Sequence, residues 1–277
     1  MKNNLLMHVL VCYDSSDSAK AALLSVAARV WPPGSKCRLL HVGRGSENEL
    51  SKIAQAIDGF SEVSIEFRHG NIYKEILKGA EEFEADLIVI GSRGTVGLTN
   101  LVMGNVCQDV LHHARIPVMV GKTPHKGAFK DVIICTDGSK DSALAVQMVQ
   151  KHAWSKETRF TLVEVTVPKL SEYLPSLHLP IFEDWLLYEK APPNRIIEGA
   201  HELYDCGMAL ENTFGPNRVE RVLAEGLPVE EIIAVSRRIG ADLIVLARHH
   251  SAHHFMHPGS VSDSLSAMAP CSVEIVV

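Results

Sequence analysis

Aromatic residues, closely spaced cysteines and long apolar runs are all scarce in this sequence. Phe, Trp and Tyr make up 6% of the 277 residues, and the six cysteines form no CxxC pair. That spacing excludes a dense disulfide scaffold and predicts reduced thiols in a cytoplasmic protein. No run reaches the roughly 18 apolar residues of a membrane span, and no small-residue cleavage site follows the short apolar stretch 7–12. We therefore expect neither a membrane anchor nor a signal peptide.

Charge is also limited, with 22% Asp, Glu, Lys and Arg and a formal net charge of −6. A negative balance argues against a general nucleic-acid-binding surface, which needs clustered Lys and Arg. The hydrophobic fraction of 46% is ample for packed cores and excludes a disordered chain. At this length the chain forms one large domain or two of ordinary size.

An internal repeat decides between one domain and two. Residues 84–91 (EADLIVIG) reappear as residues 240–247 (GADLIVLA), and residues 11–16 (VCYDSS) reappear as 134–139 (ICTDGS). The blocks occur in the same order, which indicates a duplication. The copies are predicted to occupy 1–124 and 127–277. The second copy carries a proline-rich insert at about 166–198.

Within each copy, short apolar runs rich in β-branched residues alternate with helical patterns. In the first copy the pattern predicts strands at 7–13, 37–42, 63–67, 86–90 and 118–120, and helices at 18–30, 51–59, 73–83 and 106–113. Runs such as Leu87–Ile90 are continuously apolar, as expected of parallel strands that are covered on both faces. The fold class is therefore α/β, with two tandem doubly wound, five-stranded parallel-sheet domains.

Two polar segments follow the first and fourth strands of the first copy. In an open α/β sheet, ligands bind beyond the carboxyl ends of the strands. Glycines there allow positive φ angles and close approach of a ligand, and the start of a helix offers N–H groups to phosphate oxygens. The candidate residues are Asp14, Ser15 and Ser16 in one segment, and Gly91, Arg93, Gly94, Gly104, Asn105 and Val106 in the other.

These residues resemble the universal stress protein family in its tandem two-domain form. The ATP-binding subgroup of that family carries G-x2-G-x9-G-[S/T], which Gly91, Gly94 and Gly104 match, with Asn105 in the Ser/Thr position. The resemblance covers nearly the whole chain outside the insert. It implies a Rossmann-like strand order 3-2-1-4-5 in each copy and an internal pseudo-dimer formed by the last strand of each.

The resemblance also implies roles for individual residues. Asp14 would meet the ribose of ATP or a bound divalent cation such as Mg²⁺, and Val42 would lie beside the adenine. Independently of the resemblance, Arg93 in the loop after the fourth strand would either reach a phosphate or remain solvated. A purely structural alternative stays open, in which the glycines serve only helix–sheet packing and Asp14 only caps the following helix.

The second copy has lost part of the pattern. Ala247 and His250 replace the first two motif glycines, while Gly259 and Ser260 keep the end of the motif. Because a Cβ at a position of positive φ is strained and would block a phosphate, this second site is expected to be degenerate. Bound nucleotide should therefore favour the first copy.

Five histidines follow Ala247 within nine residues. Pairs four residues apart share one face of a helix, so the cluster is a candidate site for zinc or another transition metal. A polar loop of exposed or anion-binding histidines is the alternative. The candidate ligands are His249, His250, His253, His254 and His257.

Three functional hypotheses follow from these motifs. The first is a nucleotide-binding stress-response or signalling module whose state is read by an unidentified protein partner. The second is a slow ATPase, although no general base accompanies the loops, so the expected enzymatic activity is none or weak hydrolysis. The third is a scaffold that holds a metal at the histidines or a small ligand under the insert. Association of two chains is left open.

Overall fold

The computed structural model describes residues 6–93, 103–122, 127–166, 195–248 and 261–277, without the side chains of 195–202. In the first half, strands β1–β5 are His8–Cys12, Lys36–Val42, Glu62–Arg68, Leu87–Gly91 and Val118–Gly121. Helices α1–α4 are Asp17–Ala27, Glu47–Ala56, Ile72–Glu82 and Asn105–His113. The predicted alternation of strand and helix is therefore present throughout this half.

The second half repeats the alternation. Strands β6–β10 are Asp131–Thr136, Arg159–Thr166, Val219–Glu225, Leu243–Ala247 and Ser272–Val276. Helices α5–α8 are Lys140–Lys151, Arg195–Phe214, Pro228–Ile239 and Val261–Met268, with a short 3-10 turn at Pro216–Arg218. Most of the predicted insert, 167–194, lies outside the described residues, and α6 begins directly after it.

The ten strands form a single sheet in the order β3-β2-β1-β4-β5-β10-β9-β6-β7-β8. Each half thus has the order 3-2-1-4-5, which confirms the predicted doubly wound topology. Neighbouring strands within a half are parallel, and β5 pairs with β10 in antiparallel register, with Met119 opposite Glu274. This pairing joins the halves as a pseudo-dimer.

Alternate side chains of the central strands belong to two apolar layers, one on each face of the sheet. Val9 and Val11 pack with α1, α2, α5 and α6 in one layer, whereas Leu10 and Cys12 pack with α3, α4, α7 and α8 in the other. A strand buried on both faces must be apolar at every position, which explains the continuous runs in the sequence. Each layer contains residues from both halves, so the core is continuous across the seam.

Side-chain caps fix where several helices begin. Ser16, Ser46, Asn71 and Ser139 each accept a hydrogen bond from a backbone N–H in the first turn of α1, α2, α3 and α5, respectively. The cap at Ser46 starts α2 at Glu47, so the predicted start at residue 51 is wrong by four residues. No helix among the described residues is long and apolar enough to cross a membrane.

Polar side chains cross the seam between the halves inside one apolar layer. Arg29 Nη1 of the segment after α1 lies 2.6 Å from Glu274 Oε2 of β10, and both side chains are almost fully buried. Arg29 also contacts His152 Nδ1, and its guanidinium lies 5.2 Å from the ring centroids of Trp31 and Trp154. Ser25 Oγ lies 2.9 Å from Ser272 Oγ. The seam is therefore both apolar and hydrogen-bonded.

Candidate functional site

The two predicted polar segments leave the sheet side by side. Strands β1 and β4 are parallel neighbours, with Val11 opposite Val89, so their carboxyl ends meet at one edge. Asp14 follows β1, and Arg93 follows β4. The strand order thus brings together residues that are about 80 positions apart in the sequence, at the edge where α/β sheets bind ligands.

Asp14 and Ser16 have different roles in the first of these segments. Ser16 is the N-cap of α1, because its Oγ accepts from the Ala19 N–H at 3.1 Å. Asp14 Oδ1 accepts from the Ser16 N–H at 3.1 Å, which closes a tight turn. Ser16, not Asp14, therefore caps the helix, and the structural alternative considered for Asp14 does not describe its contacts.

Hydroxyl groups tie the second segment to the first. Ser18 Oγ donates to the Arg93 carbonyl oxygen, and Ser16 Oγ lies 3.4 Å from the same oxygen. These contacts hold the backbone after β4 against the start of α1. Ser16 is consequently engaged in structure, which leaves Asp14 as the acidic group presented by this loop.

Gly91 is required by helix–sheet packing. A Cβ built on Gly91 would lie 2.6 Å from the Ser18 carbonyl carbon and 2.8 Å from the Ala19 nitrogen, closer than real Cβ contacts allow. Gly91 does not adopt a positive φ, so the expectation of left-handed backbone there is wrong. Packing of α1 against β4 explains this glycine, as the structural alternative proposed.

The other end of the motif forms the start of α4. Gly104 is the N-cap with φ −68° and ψ 144°, and its N–H donates to the Ser92 carbonyl oxygen at 3.0 Å. This cap makes no side-chain hydrogen bond, unlike those of α1, α2 and α3. Asn105 and Val106 are the first residues of the helix, and Asn105 is exposed. With glycine as the N-cap, no side-chain oxygen of that residue accepts from the N–H groups of the first turn. Gly94 lies outside the described residues.

Val42 ends β2, the other neighbour of β1. Cys12 pairs with Leu40, so Val42 and Asp14 leave the sheet at the same level. Val42 is half-buried and packs against the layer that contains Cys12, Ile90 and Met103. An apolar side chain thus leaves the sheet at the same level as the turn that carries Asp14.

Lys122, directly after β5, is a basic group at this edge that is not among the candidate residues of the sequence motifs. Its Nζ donates to the carbonyl oxygens of Leu265 and Ala269 at 3.2 and 3.1 Å, near the end of α8. The pKa of Lys122 is lowered to about 8, mainly by burial and to a smaller extent by the positive charge of Arg93. The two cations therefore raise the local potential at the edge that carries the motif, which favours an anion. In the sequence, the feature that indicates this cation is a lysine directly after the last strand of the first half.

The cysteines at the ends of β1 and β6 are packing residues. Cys12 and Cys135 are 8% and 9% exposed, and burial raises the pKa of both thiols strongly. A protonated, buried thiol is a poor nucleophile. Both residues are therefore small core side chains.

The second half keeps the acidic turn but not the glycine at the end of the fourth strand. Asp137 Oδ1 accepts from the Ser139 N–H at 3.1 Å, as Asp14 does from Ser16. Ala247 occupies the position of Gly91 and ends β9. The five predicted histidine ligands, 249, 250, 253, 254 and 257, together with Gly259 and Ser260, lie outside the described residues. Within the described ranges, no group of three or more His, Cys, Asp or Glu side chains could hold a metal ion.

Comparison with known proteins gives a consistent result. The model of the universal stress protein family matches residues 43–122 and 128–276, once in each half. The universal stress protein MJ0531 of Methanocaldococcus jannaschii is 38% identical over 81 residues, which cover 29% of this chain and 48% of that protein. The chain therefore spans about half the length of this curated relative.

Solved structures match over the whole chain. A universal stress protein from Archaeoglobus fulgidus DSM 4304 superposes with a TM-score of 0.66 at 20% identity, covering 100% of this chain and 99% of that one. The functionally unknown protein PA1789 from Pseudomonas aeruginosa PAO1 has a TM-score of 0.65 at 14% identity, covering 99% and 93%. At these identities the likeness establishes the fold.

Proposed function

We propose that this chain, which belongs to the universal stress protein family, binds an adenine nucleotide, ATP with or without Mg²⁺, at the carboxyl edge of its first half. The observation that carries the proposal is the meeting of the Asp14 turn with the segment after β4 through the Arg93 carbonyl oxygen. That meeting places an acidic group and a helix start at the edge where α/β folds bind nucleotides.

The residues present fit the three parts of a nucleotide. The N-terminus of α4 and the cations Arg93 and Lys122 favour the phosphates, since both supply positive potential. The Asp14 carboxylate has a second oxygen beyond the one used in its turn, which can accept from a ribose hydroxyl or ligate Mg²⁺. Val42 offers an apolar contact to the base.

The proposed biological role is a cytoplasmic stress-response or signalling module. None of the six cysteines, all among the described residues, forms a disulfide, which supports a reducing location. Binding, with at most slow hydrolysis, is the activity we assign. A bound nucleotide can change the surface recognised by a protein partner only if two conformations of this chain bind the nucleotide with different affinity. The partner would therefore bind preferentially to the conformation that the nucleotide stabilises.

Mass spectrometry of ligand released from the purified full-length protein, followed by titration calorimetry with ATP, ADP and AMP, tests this function. We expect about one nucleotide per chain. Loss of a charged hydrogen bond in Asp14→Asn should weaken ATP binding by about 10- to 100-fold. The matched control is Asp137→Asn, the same change at the repeat-equivalent turn, which should leave the affinity within about twofold.

Other outcomes would contradict the proposal. Absence of both co-purified nucleotide and ATP binding would exclude it, and an equal loss in the two Asn variants would show that the halves do not differ. Elemental analysis of the same sample measures any stoichiometric metal, and phosphate release from bound ATP measures hydrolysis.

A further inference from the structure

One carboxylate on α2 holds the acidic turn from outside. Glu49 Oε1 accepts from the Tyr13 hydroxyl at 2.9 Å, and Glu49 Oε2 accepts from the Ser15 hydroxyl at 3.0 Å. Tyr13 and Ser15 are the residues on either side of Asp14. The two oxygens of the Glu49 carboxylate thus hold the residues before and after Asp14, which is the residue proposed to contact the ribose.

Ser15 needs such support because of its backbone conformation. Its φ is +65°, in the left-handed region that residues with a Cβ adopt rarely. At the equivalent position of the second half, Gly138 has φ +76°, where glycine incurs no steric cost. The two halves therefore build the same turn in different ways, with a glycine in one and a serine held by Glu49 in the other.

Further contacts make the turn a single unit. His41 Nδ1 donates to the Tyr13 carbonyl oxygen at 2.8 Å, and Asp14 Oδ1 accepts from the Ser16 N–H. Burial first, and then the hydrogen bond to Glu49, raises the pKa of Tyr13 to about 12. The phenol therefore stays protonated and donates at neutral pH.

The chain that carries Glu49 also passes the other side of the proposed site. Val42 ends β2, and α2 begins at Glu47 after a short connection. Leu50, the next residue after Glu49, is 2% exposed and anchors α2 in the core. The segment 42–50 therefore connects Val42, the proposed contact of the base, with Glu49, which holds the turn around Asp14.

We infer that Glu49 is a positioning residue of the nucleotide site, which holds Ser15 in its left-handed conformation and so sets the direction of Asp14. This inference rests on the proposed function. Glu49 acts through Tyr13 and Ser15, and it ties the nucleotide site to α2.

The experiment compares full-length Glu49→Ala, Glu47→Ala and the double variant Ser15→Gly/Glu49→Ala. Glu47 is an exposed acid in the same first turn of α2, so its removal matches the change in charge and in interaction with the helix dipole. We expect Glu49→Ala to weaken ATP binding about tenfold and Glu47→Ala less than twofold. Adding Ser15→Gly should recover most of the loss, because glycine needs no brace at positive φ. Loss of general stability would not be rescued in this way.

Amide hydrogen exchange without nucleotide separates this inference from the proposed function. Peptides covering residues 11–20 should exchange faster in Glu49→Ala than in wild type and Glu47→Ala. If wild type binds no ATP, the proposed function fails. The exchange result still tests whether Glu49 holds the turn at Tyr13 and Ser15. Unchanged exchange in Glu49→Ala would overturn the inference, as would a failure of Ser15→Gly to restore ATP binding in a wild type that binds.

Discussion

Arg29, His152 and Glu274 are polar side chains buried in a mainly apolar layer at the seam. Arg29 and Glu274 form an ion pair at 2.6 Å, and His152 Nδ1 lies 3.9 Å from Glu274 Oε1. Desolvation makes such a pair expensive, but leaving one member unpaired costs more. These residues therefore contribute to specifying how the halves meet rather than simply adding stability.

The first prediction at this scale concerns pH. Burial, and then the charge of Arg29, holds the pKa of His152 well below its ordinary value of 6.5. Above pH 6.5, His152 is neutral in both the folded and the unfolded chain, so it does not make the free energy of unfolding depend on pH. As the pH falls below it, the unfolded chain takes up a proton that the folded chain does not, and the free energy of unfolding decreases by up to about 1.4 kcal/mol per pH unit.

Urea unfolding of wild type and His152→Asn at pH 7.5 and 5.5 measures this term. Wild type should lose about 1 kcal/mol more than the variant over this interval. Because the other histidines titrate in both proteins, the difference between the two pH dependences isolates His152. Identical pH dependences would show that His152 titrates normally in the folded protein.

At the scale of elements, the position of α1 depends on two glycines that its backbone touches. A Cβ on Gly121 of β5 would lie 2.3 Å from the Ala22 Cα, and one on Gly91 of β4 would meet Ser18. Since α1 also carries Ser16 and Ser18, which contact Arg93, packing of this helix fixes the geometry of the proposed site. Gly91 should therefore affect both the stability of the protein and the proposed nucleotide binding.

Gly91→Ala should lower the free energy of unfolding by about 1–3 kcal/mol, because the added methyl group forces α1 away from the sheet. The same shift should weaken nucleotide binding, since it moves Ser18 from Arg93. Urea unfolding and ATP titration of one preparation measure both effects. The control is the reciprocal change Ala247→Gly, which should cost no more than about 1 kcal/mol and leave ATP binding unchanged. Equal effects of the two changes would argue against this account.

At the scale of the whole molecule, the halves are related by repetition but joined by different side chains. Arg29 and His152 occupy equivalent positions, each two residues before a tryptophan, Trp31 or Trp154. Met119 and Glu274 lie directly opposite each other where β5 pairs with β10. Within the apolar layer that Arg29 enters, the described residues at the seam therefore include an acid, an arginine and a neutral histidine that contact one another. Two copies of either half would bury unmatched charge.

Removing one member of the buried ion pair Arg29–Glu274 should destabilise the protein more than removing both members. Glu274→Gln leaves Arg29 buried without its counter-ion and should cost about 3 kcal/mol, whereas Arg29→Met/Glu274→Met should cost less than either single Met change. A double-mutant cycle by urea unfolding measures the coupling. Glu62→Gln, which breaks the exposed pair with Lys36, is the control and should have little effect. Additive single changes would disprove the coupling across the seam.

Local patterns in the sequence predicted the order of elements, the duplication and, through the family resemblance, the strand order. Boundaries were less predictable, because they depend on caps. The start of α2 carries the signal Ser-x-x-Glu at Ser46 and Glu49, which marks a helix N-terminus, whereas the predicted helix begins only at residue 51. That same signal could have drawn attention to Glu49, although its side chain turns to Tyr13 and Ser15.

The sequence by itself determined the α/β class, the two halves and the set of motif residues, because strand and helix periodicity and glycine spacing are local properties of a chain. Tertiary structure alone decided that Gly91 serves packing, that Glu49 holds the turn around Asp14, and that Arg29 meets Glu274. Each of these depends on atoms that are distant in sequence, and only the folded sheet brings them within contact distance.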